Sequence, residues 1–266
     1  MVGILIFIAV FLFGLIFGSF LNVLIYRLPH GLSLGGRSFC PHCKKQIRWF
    51  DNIPLLSFII LEGKCRYCQS KISFCYPLLE FTTGIFFLLS WFFVNSCFLT
   101  ESFVGSYYTS LGALGLFLFL NFLFCLLVPI FIIDYQYQII PDELIYIGLA
   151  VISFLLLIIS KKFYLHFFSS FVVADIIWVV WLITKGKGMG LGDVKFALLG
   201  GLFFSWPYGF VWLLVSFILG GAVGLVLLVL KKARLKSKIS FGPFLVISFF
   251  ICLIFADKLI NLLYLK

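Results

Sequence analysis

Residues 2 to 25 run without one charged side chain, long enough to cross a bilayer as a helix, and runs of this kind recur along the whole chain. That recurrence constrains the fold more than any other feature. A soluble domain is nearer half apolar and a quarter charged; this chain is 63% hydrophobic and 11% charged, with 36 phenylalanines. The runs are continuous rather than alternating, which excludes a transmembrane β-barrel. In lipid such a run satisfies its backbone groups as a helix. The expected class is therefore all-α: a polytopic helical membrane protein of about eight transmembrane segments. The first run lacks a basic n-region and a small-residue cleavage site, and it outruns a signal-peptide core, so it reads as a retained helix.

Taken in order, the spans are expected at about 2–25, 77–98, 110–133, 142–160, 163–184, 208–230 and 241–263. A sixth segment, 196–205, is too short to cross as a straight helix and counts as a half-helix or a longer segment through Trp206 and Pro207. Ser19 and Asn22 suggest that the end of the first span turns a face toward protein. The net charge of +10 invites a nucleic-acid partner, but the basic residues gather at span ends, so none is expected and the membrane lipid is the partner. With the N-terminus outside, all of the 20 Lys and Arg except Lys161, Lys162, Lys258 and Lys266 fall on the cytoplasmic side. This orientation requires the sixth segment to cross.

The one sizeable polar segment, 27–75, carries Cys40-Pro-His-Cys43 and Cys65-Arg-Tyr-Cys68, with 21 residues between the pairs. The spacing fits a structural zinc site of four thiolates. The loop is poor in apolar residues, and a metal can hold such a segment folded. Two disulfides or a redox dithiol are the alternatives. A cytoplasmic location disfavours the first, and the absence of a strand–helix pattern around either pair weakens the second. His42 reads as a solvated loop histidine. Cys75, Cys97, Cys125 and Cys252 read as small buried hydrophobes.

Two carboxylates stand at span ends: Asp134, closing the third span, and Asp193, in Gly188-Met-Gly-Leu-Gly-Asp-Val-Lys195. A carboxylate at the membrane boundary is costly and marks a functional site. On the orientation above both lie on the cytoplasmic side. Paired, they make an aspartyl protease site: one acts as base on water, the other, protonated, polarises the scissile carbonyl, and like charges that close share a proton. Gly190 and Gly192 are expected to permit close backbone approach and positive φ, and to leave Asp193 near a helix start. Lys195 lies close enough in sequence to meet a carboxylate or a lipid phosphate. Asp142, after Pro141, looks like a helix N-cap with Glu143 in the first turn. Asp175, in mid-span, reads as a buried polar contact or a further functional acid. No G-x-S-x-G, H-E-x-x-H or Walker A pattern is present.

These residues resemble the bacterial type IV prepilin peptidases, among the GxGD membrane aspartyl proteases. The ordered set runs over nearly the whole chain: Gly18–Pro29, the cysteine quartet with Trp49–Ser57 between its halves, Tyr76-Pro-Leu-Leu-Glu80, Asp134 with Pro141-Asp142, Gly188–Lys195, and Phe241-Gly-Pro-Phe244. Cys75 stands where members often carry a basic residue. The resemblance implies cleavage of the short basic leader of prepilins or pseudopilins at the cytoplasmic face of the inner membrane. It also implies N-methylation of the new N-terminus with S-adenosylmethionine. By motif, Asp134 and Asp193 are the catalytic pair and Asp142 a supporting residue. The implied division is a first helix (1–26), a cytoplasmic cysteine-rich loop associated with methylation (27–75) and a membrane peptidase domain (76–266). Competing classes are another GxGD intramembrane protease, an ion-coupled transporter using Asp175, and a non-catalytic assembly scaffold.

Overall fold

The computed structural model describes residues 2–95, 103–231 and 240–263. Among these it is helical apart from loops, with two isolated β-bridges. The helices are α1 (Val2–Arg27), α2 (Leu56–Ile60), α3 (Cys75–Asn95), α4 (Phe103–Tyr137), α5 (Asp142–Ile159), α6 (Phe163–Thr184), α7 (Leu191–Phe204), α8 (Tyr208–Val229) and α9 (Gly242–Leu263). Seven of them are long and apolar enough to span a bilayer. The expected short sixth segment is α7, whose 14 residues rise only about 21 Å. Span ends differ from the expected ones by a few residues. The largest difference is in α4, which begins earlier and is interrupted at Gly112, where φ is 70° and ψ 176°. Cys97, Glu101 and most of the basic 231–238 stretch lie outside the described residues.

The chain divides within α4 into two compact units. The first joins residues 1–98 to 113–125; the second joins 99–112 to 126–266.

In the first unit α1 lies against α3. Gly14 and Gly18, one helical turn apart, let the two backbones touch: a Cβ there would come within 2.7 Å of the Gly84 Cα and 2.6 Å of the Glu80 Cα. Asn22 donates to the Tyr76 carbonyl at 3.1 Å, so it does face protein. Asn121 of α4 donates to Ser90 Oγ of α3 at 2.9 Å, a buried pair that satisfies both side chains. Outward, α1 shows Leu5, Phe7, Leu12, Ile16 and Phe20. Such a surface is unfavourable in water and is at home in lipid. The loop after α1 folds around Arg27, whose buried guanidinium donates to the carbonyls of Ser33, Gly35 and Arg37.

In the second unit the short helix is the centre. Nine of the 14 residues of α7 are buried, with α5, α6, α8 and α9 packed around it. Phe203 and Phe204 of α7, Trp212 of α8 and Phe249 of α9 form one aromatic cluster. Aromatic contacts of this kind fix geometry as well as bury area. The helix that is too short to cross alone is thus enclosed by four neighbouring helices.

Candidate active site and metal centre

Asp134 sits in the last turns of α4, only 5% exposed. The helix ends just beyond it, where Gln138 takes a φ of 56° and donates its N–H to the Asp134 carbonyl. The carboxylate is held from a distant part of the chain. Its Oδ2 accepts the Gly242 N–H at 2.9 Å and the Ser240 hydroxyl. Gly242 opens α9, so the carboxylate also faces a helix N-terminus, where the backbone dipole favours negative charge. A Cβ at position 242 would run into the Asp134 carboxyl group, so only glycine lets the amide come this close.

Asp193 is the third residue of α7 and 7% exposed. Its Oδ2 reaches back to accept the Gly190 N–H at 2.9 Å. The expected positive φ is not found at this motif: Gly190 has a φ of −87° and Gly192 lies inside the helix, while the left-handed glycine is Gly186, at the end of α6. Gly192 instead provides close approach, since a Cβ there would meet Ile140 at 3.0 Å. Ile140 lies in the loop that follows α4, six residues after Asp134, so this contact seats the start of α7 against the end of the Asp134 helix.

Lys195 meets a carboxylate: its Nζ lies 2.7 Å from both oxygens of Asp142. Pro141, not Asp142, is the N-cap of α5, and Asp142 is the first helical residue. The reason is that an extended Pro141 already ends the loop, which frees the Asp142 side chain to reach α7. Of the two readings of Asp175, the buried polar contact is not found: its side chain is exposed on α6.

The four loop cysteines come together. Their sulfurs all lie within 4.8 Å of one another, an arrangement that can hold a metal ion. Cys40 Sγ and Cys68 Sγ are 3.8 Å apart. That is far too long for a disulfide. It equals the edge of a tetrahedron with metal–sulfur bonds of about 2.3 Å, which is about 3.8 Å, so the donor set fits zinc. Each Cys-x-x-Cys pair turns back on itself in the same way. The N–H of Lys44 donates to the Cys40 carbonyl and that of Gln69 to the Cys65 carbonyl, and both residues are left-handed, with φ of 59° and 57°. His42 is exposed and outside the cluster. Cys252 is buried as expected and Cys125 half-buried, but Cys75 is exposed at the start of α3.

Residues 12–94 match the bacterial peptidase A24 N-terminal domain, and residues 121–225 match the type IV leader peptidase family. Over 275 residues the chain is 30% identical to the prepilin leader peptidase/N-methyltransferase of Stutzerimonas stutzeri, covering 92% of this chain and 89% of that one. With the protein of the same name from Legionella pneumophila the identity is 32%, over 94% and 91% of the two chains. With that of Pseudomonas aeruginosa it is 28%, over 93% and 90%. The chain belongs to the type IV leader peptidase family. No solved structure matches it.

In this leader peptidase family member, the residues that the sequence did not single out are Ser240 and Gly242. They lie beyond the stretch matched to the leader peptidase domain. Their signal was the Phe241-Gly-Pro-Phe244 segment at the start of an apolar run, which marks a helix opening without saying which side chain it meets.

Proposed function

We propose that this chain is a membrane aspartyl endopeptidase that removes the leader from type IV prepilins or pseudopilins and N-methylates the new N-terminus. The observation that carries the reading is the pair of buried aspartates on different helices, Asp134 and Asp193, each fastened through Oδ2 to a backbone N–H at a helix start. Among the described residues no hydrogen bond reaches either Oδ1, so one oxygen of each carboxylate is left for chemistry. As an aspartyl protease pair the two acids share one proton. The ionised one draws a proton from water as the water attacks the scissile carbonyl. The protonated one gives its proton to the carbonyl oxygen; the first, now carrying the water's proton, passes it to the leaving amine as the tetrahedral diol collapses and returns a proton to the second. Gly190 and Gly192 keep side chains away from this edge, and the Lys195–Asp142 pair ties α7 to α5 behind it.

The same reading places the protein in the bacterial inner membrane with its N-terminus outside and the site at the cytoplasmic face. A basic leader then lies in the cytoplasm and the apolar stem of the prepilin in the bilayer, with the bond to be cut at their junction. Cys40, Cys43, Cys65 and Cys68 hold a structural zinc in the loop 27–75, and residues 76–266 carry the peptidase. The methyl group comes from S-adenosylmethionine.

Cleavage of a prepilin-like peptide by the purified wild type, Asp134→Ala and Asp193→Ala tests the pair. Each substitution is expected to lower the rate by roughly 10²–10⁴-fold or more while the protein still inserts. Normal cleavage by either variant would sink the mechanism.

A further inference from the structure

A cavity of about 380 Å³ opens in the first unit between α1, the start of α3 and the cysteine loop. It is separate in makeup from the aspartate pair, none of whose residues line it. Its size is that of a small-molecule pocket. Its wall holds Glu80, half-buried in the first turns of α3. Glu80 Oε2 accepts the Leu55 N–H at 2.9 Å, and Ser19 lines the same cavity.

Two features of this carboxylate call for a ligand. Among the described residues no Lys or Arg pairs with it, although the surrounding loop carries Arg37, Lys44, Lys45, Arg48, Lys64, Arg66 and Lys71. The loop's other acid facing the cavity, Asp51, is already engaged by Arg66 at 2.6 Å. A carboxylate withdrawn from water without a cation is costly. The second feature is Leu55, which gives its N–H to Glu80 from a φ of 61° and ψ of −50°, a conformation an L-residue with a large side chain rarely adopts. Strain of this kind persists where the surroundings hold it and gathers at functional sites. Tyr26 and Phe39 give the cavity aromatic wall for the apolar part of a ligand.

We infer that this cavity is the methyl-transfer chamber, in which Glu80 receives the free α-ammonium group of a processed peptide beside a sulfonium methyl donor. The inference rests on the N-methylation reading above. An α-ammonium group loses its proton at a pH of about 8, so near neutral pH roughly a tenth is the free amine, its proton having passed through Glu80 to water. The freed amine nitrogen then attacks the donor's methyl carbon. The N–C bond forms as the C–S bond breaks, and its electron pair stays on sulfur, leaving a neutral thioether and a methylated ammonium. Glu80 releases the first proton to water.

The test uses the full-length protein in detergent, with three readouts: binding of radiolabelled S-adenosylmethionine, methylation of a peptide supplied already processed, and leader cleavage. Glu80→Gln is expected to lower methylation by about 100-fold or more, with donor binding and cleavage within about threefold of wild type. Asn52→Trp, at an exposed position on the cavity rim, is expected to weaken donor binding by about tenfold or more with cleavage retained. Wild-type methylation by Glu80→Gln, or wild-type donor binding by Asn52→Trp, would overturn the assignment. If Glu80→Gln does not yield folded protein, donor binding by Asn52→Trp decides. If the wild type cleaves leaders yet neither binds donor nor methylates, the methylation reading fails and this inference with it, while the peptidase stands.

Discussion

Between residues 31 and 74 only Cys40, Ser57 and Cys65 are buried, whereas Asp193 stands on a helix that buries nine of its 14 residues. The cysteine loop has no apolar core of its own. Its order comes from backbone turns around four sulfurs, a buried Arg27 and the Asp51–Arg66 pair. The aspartates are placed the other way, by helices packed tightly enough that a missing Cβ at Gly192 or Gly242 decides where a backbone lies. A segment without a core depends on whatever binds its side chains; a packed helix does not. Loss of metal should therefore unfold the loop and leave the packing around Asp134 and Asp193 standing.

Three substitutions grade that contrast. The largest effect is expected from Gly242→Ala, whose added methyl displaces the Asp134 carboxylate from its amide. Leader cleavage should fall roughly 100-fold, as when a catalytic group is misplaced by about an ångström. Steady-state cleavage with a folding check by size-exclusion chromatography measures it, and unchanged turnover would mean that Gly242 does not position Asp134. Next comes Cys65→Ser. It should abolish stoichiometric zinc, read by elemental analysis, and expose the 31–74 loop to limited proteolysis, yet keep cleavage within about threefold of wild type. Should peptidase activity collapse with the metal, the two sites would not be independent and the contrast would break. The smallest effect belongs to Lys195→Met. Its ion pair with Asp142 is 37% and 48% exposed, so thermal unfolding should show a loss of only about 0.5 kcal/mol. A much larger loss would show that the pair braces α7 instead of decorating it.

The membrane spans were legible because they depend on one quantity, the length of an apolar run. The cysteine quartet was legible because metal geometry fixes ligand spacing. Asp193 at a helix start followed from the glycines before it. What the sequence hid depends on distance in space. Nothing near Asp134 announces that Ser240 will donate to it. The positive φ expected at Gly190 and Gly192 fell on Gly186, because glycine allows that conformation without demanding it. Asp175 was expected to be a buried polar contact or a further functional acid, but a helix's periodicity is blurred when almost every face is apolar, and α6 leaves it exposed. Leu55 could not be found at all by composition, since a left-handed leucine has no sequence signature.

The clamp on Asp134 also orders events in time. Gly242 lies 108 residues after Asp134 in the chain. A ribosome delivers both aspartates and most of the membrane helices before it delivers the two groups that hold the first carboxylate in place. Until α9 has entered the bilayer, Asp134 has neither its amide nor its hydroxyl partner. On the proposed mechanism, with Asp134 as one of the catalytic pair, the nascent protein is an unarmed protease until its insertion is complete.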